Sequence, residues 1–378
     1  MKTDATRSDE QRDAGAARLA ISFPIGRRFA WGLVWLITLA GLAEAIVRMP
    51  AVARRLPAPS YGAANRQFEL QLARLRAFVT QHGQPDCLFV GNSQVLRGIN
   101  PLEFADGYHT VTGVELHCFS FGLRGMDPSV SYDVVRVLLQ EVSPAVLIVG
   151  TDIPSYSTSR AEGIRGGRLG TMDWLRYRLG DANAYGWLID HLAAVRAYLP
   201  FRFWFLPDFA RQQAEAERFD TQVTLEGFGH LNQVSDLVGG PPTVDDPQVD
   251  FFDILREYEL DPKQLTALDG LLTLREQTGV IIVEMPLHPT FLTFFGNGVA
   301  DFDRGLEAVR AHIAPTGVEL VETTKLDFIP DEGWASRNHL NQVGAAVLSR
   351  WLGEELARRA LAGRIPALAA LGVKRATP

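Results

Sequence analysis

The stretch Cys87–Pro101 reads CLFVGNSQVLRGINP, and it indicates the fold class of this 378-residue chain. It opens with an unbroken apolar run, which is typical of a strand buried on both faces of a parallel sheet. Gly91 and Asn92 end that run, and Ser93 follows them. Glycine at such a position allows a tight turn and a close backbone approach. The stretch therefore predicts a strand with a serine hydroxyl at its carboxyl end.

Four more apolar runs bounded by turn residues repeat this pattern, and helical patterns separate them. Strands that alternate with helices form parallel sheets, so we predict an α/β, doubly wound, flavodoxin-like fold with a mainly parallel five-stranded sheet. The predicted strands are Cys87–Val90, Leu116–Phe121, Ala145–Val149, Val280–Glu284 and Val318–Val321. The predicted helices are Asn65–Val79, Asp127–Val142, Pro262–Glu276, Phe302–Ile313 and Leu340–Leu361.

An apolar segment near the start, Phe29–Val47, is long enough to cross a membrane. Its roughly 19 residues would form a helix about 29 Å long, close to the hydrocarbon thickness of a bilayer. We predict an uncleaved transmembrane signal anchor at 29–47. The alternative is a cleaved signal peptide, because Ala43-Glu44-Ala45 fits a cleavage site. The basic residues that precede the segment favour a cytoplasmic N-terminus, which would place the rest of the chain outside the cytoplasmic membrane.

The remaining boundaries follow from composition. We predict a disordered cytoplasmic leader at 1–28, a linker at 48–64, one domain at 65–363 and a C-terminal tail at 364–378. The domain is interrupted by an insertion at about 157–260. The insertion is rich in aromatic residues in its first part and in Gly, Pro and Asp in its second. It is either a substrate-binding cap or a structural elaboration that packs its aromatic residues.

Composition also excludes some functions. The net charge is −7 and the chain has no basic block, so we do not expect nucleic acid as a partner. The only two cysteines, Cys87 and Cys118, lie on strands predicted to be adjacent. Neighbouring strand positions rarely have disulfide geometry, so we predict two buried thiols. No spacing of ligand residues predicts a metal, and no cofactor is implied.

Residues with catalytic chemistry follow several predicted strands. Ser93 follows the first strand, Gly122 ends the second, Asp152 follows the third, and His339 precedes the last helix. The carboxyl ends of parallel strands meet at one edge of a sheet, so these residues are expected to lie close together. A histidine near a serine can remove its hydroxyl proton and make it a nucleophile. The four segments therefore predict a serine-based site.

These segments resemble the blocks of the SGNH/GDSL hydrolase superfamily. The likeness is closest to its membrane-anchored branch, which includes alginate O-acetylation proteins and the D-alanyl transfer protein of teichoic acid modification. It covers Cys87–Tyr156 and Val280–Leu361, and its most specific elements are HLNQVGA from His339 and GNS at Gly91–Ser93. The resemblance implies that Ser93 is the nucleophile and His339 the base. It also implies that the N–H groups of Ser93 and Gly122 bind the oxyanion, with Asp152 at the position of the third donor.

The chain departs from the family pattern at three places. Ser120 stands where the family has an asparagine, and Asp152 replaces an asparagine whose amide would donate to the oxyanion. The triad acid usually stands two or three residues before the histidine, where this chain has Ser336 and Arg337. Asp331 is the acid that we predict to complete the triad. Glu332, or a serine–histidine dyad without an acid, are the alternatives.

Two classes of function follow from the resemblance. The first is a serine esterase or O-acyltransferase that acts on an acylated polysaccharide or acyl donor. The second is an inactive envelope protein that binds glycan or partners a multi-spanning membrane O-acyltransferase. In both cases Arg97, Arg124 and Arg337 are predicted to bind an anionic saccharide or a carboxylate. A second HLNQV begins at His230 inside the insertion, where we expect a loop contact and no second base.

Overall fold

The computed structural model describes residues 27–56, 59–62, 66–158, 167–202, 209–235 and 252–376. Nearly all of the predicted leader and part of the insertion lie outside the described residues. The chain divides into two compact units, Met1–Ala53 and Arg54–Pro378. The first unit contains helix α1 (Arg27–Arg48), followed by the short helix Pro50–Ala53.

Helix α1 is the one described helix that is long and apolar enough to cross a membrane, with a mean hydropathy of 1.8 over Phe29–Arg48. From Phe29 to Arg48 its residues are exposed, apart from Glu44 and Val47, which are half-buried. Its acidic residue, Glu44, pairs with Arg48 at 2.6 Å, which neutralises both charges near one end of the helix. These properties fit the predicted anchor.

The second unit contains a five-stranded, all-parallel sheet, as predicted. The strands are β1 (Cys87–Gly91), β2 (Cys118–Gly122), β3 (Val146–Thr151), β4 (Gly279–Glu284) and β5 (Glu319–Val321). They lie in the order β2-β1-β3-β4-β5. The chain moves from β1 to one side of the sheet and then, from β3 onward, to the other, so the switch point lies between β1 and β3. In register, Gly91 of β1 lies between Gly122 of β2 and Gly150 of β3.

Helices cover both faces of the sheet because its strands alternate their buried side chains between two apolar layers. Leu88 and Val90 belong to one layer, and Cys87 and Phe89 to the other. The helices are α2 (Gln67–His82), α3 (Ser93–Gly98), α4 (Pro101–Thr112), α5 (Pro128–Glu141), α6 (Asp173–Arg178), α7 (Ala184–His191), α8 (Ala193–Arg202), α9 (Phe209–Gln222), α10 (Pro262–Thr273), α11 (Val299–Ile313), α12 (Gln342–Leu361) and α13 (Pro366–Ala376). The layer of Leu88 includes residues of α2, α5, α10 and α11, and the layer of Phe89 includes residues of α4, α12 and α13.

Shorter elements connect these helices and strands. A two-stranded antiparallel hairpin, β6 (Trp334–Ser336) and β7 (His339–Leu340), precedes α12. A short α-helix covers Gly167–Gly170. The 3-10 turns are Ile153–Tyr156, Asp253–Leu255, Leu274–Glu276, Pro289–Phe294, Ala314–Thr316 and Asp331–Gly333.

Two predicted boundaries are wrong. The predicted tail contains α13, whose Leu368 is fully buried and whose backbone carbonyl at that residue accepts a hydrogen bond from Tyr108. The predicted linker ends inside the fold, because Ser60 is buried and its N–H donates to the carbonyl of Arg196. Both segments are short, and the apolar residues in them do not form a pattern long enough to predict a buried element.

The cysteines also differ from the prediction. Cys87 and Cys118 form a disulfide between β1 and β2, with their Cα atoms 4.6 Å apart. The two residues are direct partners in the parallel register. The prediction failed because it rested on how rarely strand neighbours bond, whereas this separation lies within the disulfide range.

Candidate active site

Ser93 is the first residue of α3 and follows the end of β1 by two positions. Asn92 caps this helix, because its side-chain oxygen accepts a hydrogen bond from the N–H of Gln94 at 2.8 Å. The backbone approaches closely at this turn: a Cβ on Gly91 would lie 2.4 Å from the carbonyl oxygen of Gly150. The glycine and the cap together place the half-buried Ser93 hydroxyl at the carboxyl edge of the sheet.

His339 reaches this serine from the hairpin before α12. Its Nε2 atom lies 2.8 Å from Ser93 Oγ, although 246 positions separate the two residues. Its Nδ1 atom lies 3.0 Å from Ser336 Oγ, and that hydroxyl donates to Asn338 Oδ1 at 3.0 Å. The Ser336 oxygen can therefore accept a hydrogen bond from Nδ1–H when the imidazole carries its proton on Nδ1. This tautomer leaves a lone pair on Nε2, which is the form that can remove the Ser93 proton.

The structure does not place Asp331 at His339. Its carboxylate lies 3.4 Å from Nε2 of His288, and its side chain is 78% exposed. Residues 331–333 form a 3-10 turn in front of the hairpin, and this turn carries the acid to the His288 side of the loop. Glu332 is also exposed, and its backbone carbonyl accepts a hydrogen bond from Asn341. The hydroxyl of Ser336 contacts Nδ1 from three residues before His339, one of the two positions where the sequence resemblance would place an acid.

Asp152 is not an oxyanion donor. It is 1% exposed, and its two carboxylate oxygens accept hydrogen bonds from Asn92 Nδ2 and from the N–H of Ser155, each at 2.7 Å. An ionised carboxylate has no proton to donate and would repel the negative charge of a tetrahedral intermediate. Its place in the structure is beside the cap of α3, where it binds Asn92.

Gly122 also differs from its predicted role. Its carbonyl accepts a hydrogen bond from Gln71 at the outer edge of β2, at 3.2 Å. The N–H and C=O of one strand residue point to the same side, so the Gly122 N–H points away from β1 and from Ser93. Glycine is required for packing, because a Cβ would lie 2.3 Å from the backbone nitrogen of Leu96.

Two of the three predicted substrate-binding arginines are buried within the protein. Arg97 is 2% exposed and donates to the carbonyl of His230 at 2.9 Å, and burial together with nearby Arg124 lowers its pKa to about 10. Arg337 is 1% exposed, donates to Thr290 Oγ1 at 3.2 Å, and has a pKa lowered by burial. Both bind neighbouring loops and do not face an open cleft. Arg124 is exposed, and its role in substrate binding stays a prediction.

The HLNQV sequence at His230 links the insertion to the start of α12, and the neighbouring Gly229 links it to α3. The N–H of Gln342 donates to the carbonyl of Leu231 at 2.7 Å, so the first turn of α12 contacts the second copy of the motif. The N–H of Gly229 donates to the carbonyl of Leu96 in α3 at 2.8 Å. Residues 229–235 therefore lie against the elements that carry Ser93 and His339, as the loop-contact prediction expected.

His288 follows β4, where the sequence predicts a residue of the turn at the border of the cleft, and it caps the 3-10 turn Pro289–Phe294. Its N–H donates to the carbonyl of Arg337 at 2.9 Å, two residues before the base. Its ring packs edge-on against Trp334 of β6, with 5.4 Å between ring centroids. The signal in the sequence is its position after β4, at the same edge of the sheet as Ser93. Among the described residues, no group of three His, Cys, Asp or Glu side chains could hold a metal ion.

Comparisons with known proteins add little to this geometry. No family model matches the chain, and no curated protein matches it. Among solved structures, one similar chain is 9% identical and has a TM-score of 0.32, with an alignment that covers 73% of this chain and 98% of that one. A likeness at this level carries no argument about fold or activity. The function of this chain is therefore inferred from the geometry and chemistry of the site.

Proposed function

We propose that this chain is a membrane-anchored, extracytoplasmic serine esterase or O-acyltransferase of the SGNH type. Its substrate would be an acylated polysaccharide of the cell envelope or an acyl donor, and the reaction would pass through an acyl-enzyme on Ser93. The observation that carries the proposal is the 2.8 Å contact between Ser93 Oγ and His339 Nε2. A nucleophile and base within hydrogen-bond distance, with the second ring nitrogen also bound, are the parts that acyl transfer needs.

In the first half of the reaction, Ser93 Oγ attacks the acyl carbonyl carbon while Nε2 of His339 takes the hydroxyl proton. The carbonyl oxygen becomes an oxyanion. The Ser93 N–H, in the first turn of α3, has no acceptor inside the helix and is the donor that the proposal assigns to this oxyanion. The protonated imidazole then gives its proton to the leaving alkoxide, so the ester bond breaks and an ester on Ser93 forms.

In the second half, the acyl group leaves Ser93. His339 takes a proton from water or from an acceptor hydroxyl, whose oxygen attacks the Ser93 ester. When the second tetrahedral intermediate collapses, the proton returns to Ser93 Oγ. Attack by water is hydrolysis, and attack by a sugar hydroxyl is O-acyl transfer. Both use the same residues, so the side chains of this catalytic pair do not select between them.

Two features support a location outside the cytoplasm. Helix α1 fits a single-pass anchor. The Cys87–Cys118 disulfide fits an oxidising compartment such as the bacterial periplasm or the cell surface, because cytosolic thiols are kept reduced. A bilayer is then a partner of α1.

A second candidate function is a non-catalytic envelope protein. It is favoured by the orientation of Gly122 and by the carboxylate of Asp152, since neither residue supplies the donor that the family pattern would place there. Such a protein would bind glycan, or would partner a multi-spanning membrane O-acyltransferase, without forming an acyl-enzyme.

One labelling experiment separates the two candidates. The full-length chain in detergent is treated with a fluorophosphonate, and the modified residue is identified by mass spectrometry. The enzyme proposal expects an adduct on Ser93 that is absent in Ser93→Ala and forms at least 100-fold more slowly in His339→Ala. The matched control is His230→Ala, which changes the histidine of the other HLNQV and should be labelled at the rate of the unmodified chain.

The outcomes are decisive in both directions. A folded chain that forms no adduct, with a cooperative thermal transition as proof of folding, overturns the enzyme proposal and supports the binding protein. If His230→Ala abolishes labelling and His339→Ala does not, the base has been assigned to the wrong copy of the motif.

A further inference from the structure

Asn92 and Asp152 form a buried side-chain pair beside the nucleophile. Asn92 Nδ2 donates to Asp152 Oδ2 at 2.7 Å, and the two side chains are 5% and 1% exposed. Asn92 follows β1 and caps α3, whereas Asp152 follows β3, so the pair joins the residues directly after the two central strands. Ser93 lies immediately after one member of the pair.

Both ends of the Asn92 side-chain amide form hydrogen bonds. Its Oδ1 accepts from the N–H of Gln94 at 2.8 Å, and its Nδ2 donates to Asp152. In this arrangement the Gln94 N–H faces the amide oxygen and Asp152 accepts from the NH2 end, so both partners select the same orientation of the Asn92 amide. The cap on α3 depends on that orientation.

Asp152 is itself held in place. Its second carboxylate oxygen accepts from the N–H of Ser155, at 2.7 Å, in the 3-10 turn that follows β3. The contact between Gly91 and Gly150 brings the backbones of β1 and β3 close together at the same edge. The pair thus links a rigid turn on β3 to the first turn of α3.

We propose that Asp152 is a positioning residue that fixes the Ser93 turn through Asn92. The proposal rests on the function proposed above for its catalytic readout. The proposal explains why residue 152 is a carboxylate although it does not bind the oxyanion. The pair of residues 92 and 152 needs one amide, which donates, and one carboxylate, which accepts. The three hydrogen bonds would also form with the roles exchanged. In Asn92→Asp/Asp152→Asn, the new carboxylate would cap α3 and accept from the new amide, whose oxygen would accept from Ser155.

Neither single change can form all three bonds while the carboxylates stay ionised. In Asn92→Asp, two carboxylates face each other at hydrogen-bond distance and repel each other, and a bond forms between them only if one takes up a proton. In Asp152→Asn, one amide must serve both the Ser155 N–H and the Asn92 NH2 group, so a donor faces a donor. Each single change should displace the first turn of α3, and the double change should restore it.

The test measures the fluorophosphonate labelling rate of Ser93 and the thermal midpoint in the full-length chain in detergent. We expect each single variant to label at least 10-fold more slowly and to melt at a lower temperature. The double variant should recover a labelling rate within about 3-fold of the unmodified chain. Asn100→Asp is the matched control, because it makes the same change at the cap of α4, where the Asn100 side chain accepts from Leu102; its labelling rate should not change.

The result that overturns the proposal is a double variant no faster than the slower single variant, or Asp152→Asn labelling at the unmodified rate. If the unmodified chain forms no adduct, the enzyme proposal fails and the thermal midpoints alone decide the pairing. Lowered midpoints in both single variants and recovery in the double variant then support it. Additive losses overturn it.

Discussion

Nδ1 of His339 lies 3.0 Å from the hydroxyl oxygen of Ser336, three residues earlier in the chain. The same hydroxyl donates to Asn338, so the residues of this hairpin orient the imidazole from its own loop. The hairpin is in turn held by the backbone hydrogen bond between His288 and Arg337. His339 is thus positioned by local contacts and meets Ser93 at the carboxyl edge of the sheet.

Replacing Ser336 tests this orientation. We expect Ser336→Ala to lower kcat by about 3- to 10-fold with little change in KM, since a neutral hydrogen bond is worth about 0.5–1.5 kcal/mol. Ester hydrolysis by the full-length chain measures the effect. Unchanged kcat in Ser336→Ala would show that the hydroxyl does not orient the imidazole.

Replacing Asp331 distinguishes the observed geometry from the predicted triad. The carboxylate is largely exposed and contacts His288, so we expect Asp331→Asn to keep hydrolysis within about 3-fold of the unmodified rate. Loss of a true triad acid lowers kcat by about 10⁴-fold. A loss of that size in the same hydrolysis assay would restore Asp331 to the triad.

Glu284 predicts a pH dependence of stability. It ends β4 and is fully buried, and burial raises its pKa to about 7, although hydrogen bonds from Thr324 and Thr323 act in the opposite direction. The folded state therefore holds the proton more tightly than the unfolded chain does. The stabilisation is complete below about pH 4.5 and decreases as the pH rises to about 7, by up to about 3 kcal/mol.

Comparison with Glu284→Gln isolates this contribution, because glutamine does not titrate. Between pH 5 and 7, the free energy of unfolding should fall more steeply with pH in the unmodified chain than in the variant. Urea midpoints at pH 5, 6 and 7 measure both slopes. Parallel slopes would contradict the raised pKa.

Replacing Gly122 by a larger residue should disturb the packing of β2 against α3. In Gly122→Ala the new Cβ would meet the backbone of Leu96, which cannot move without moving α3. We expect the free energy of unfolding to fall by about 1–3 kcal/mol and Ser93 labelling to slow. Gly170→Ala is the control, since a Cβ there meets nothing within 4 Å. Equal stability of the two variants would argue against the close packing.

The disulfide predicts a loss of stability on reduction. Its cysteines are 31 positions apart, and the chain-entropy relation for a loop of that length gives about 3–4 kcal/mol. Cys87→Ala/Cys118→Ala should lower the free energy of unfolding by about that amount. Alkylation of the denatured unmodified chain without reductant should label neither cysteine. Labelling of both would show that the thiols are free.

Three features could be predicted from the amino-acid pattern alone: the parallel α/β sheet, the apolar helix and the proximity of Ser93 to His339. Each depends on local pattern: apolar runs mark the strands, turn residues mark their ends, and parallel strands place those ends on one edge. The proximity of Ser93 and His339, which are 246 positions apart, could therefore be predicted without knowledge of side-chain contacts.

The contacts of five other residues could not be predicted in this way, because they form between distant segments: Asp152, Gly122, Asp331, Arg97 and Cys87. The direction of the Gly122 N–H depends on which side of β2 its neighbour lies, and the disulfide depends on the register of β1 and β2. Arg97 is buried because the insertion returns to α3, more than 100 positions later in the chain. These properties arise from contacts between segments that are far apart in the chain. A local sequence pattern does not indicate the direction in which a side chain or a backbone amide points after those segments have packed together.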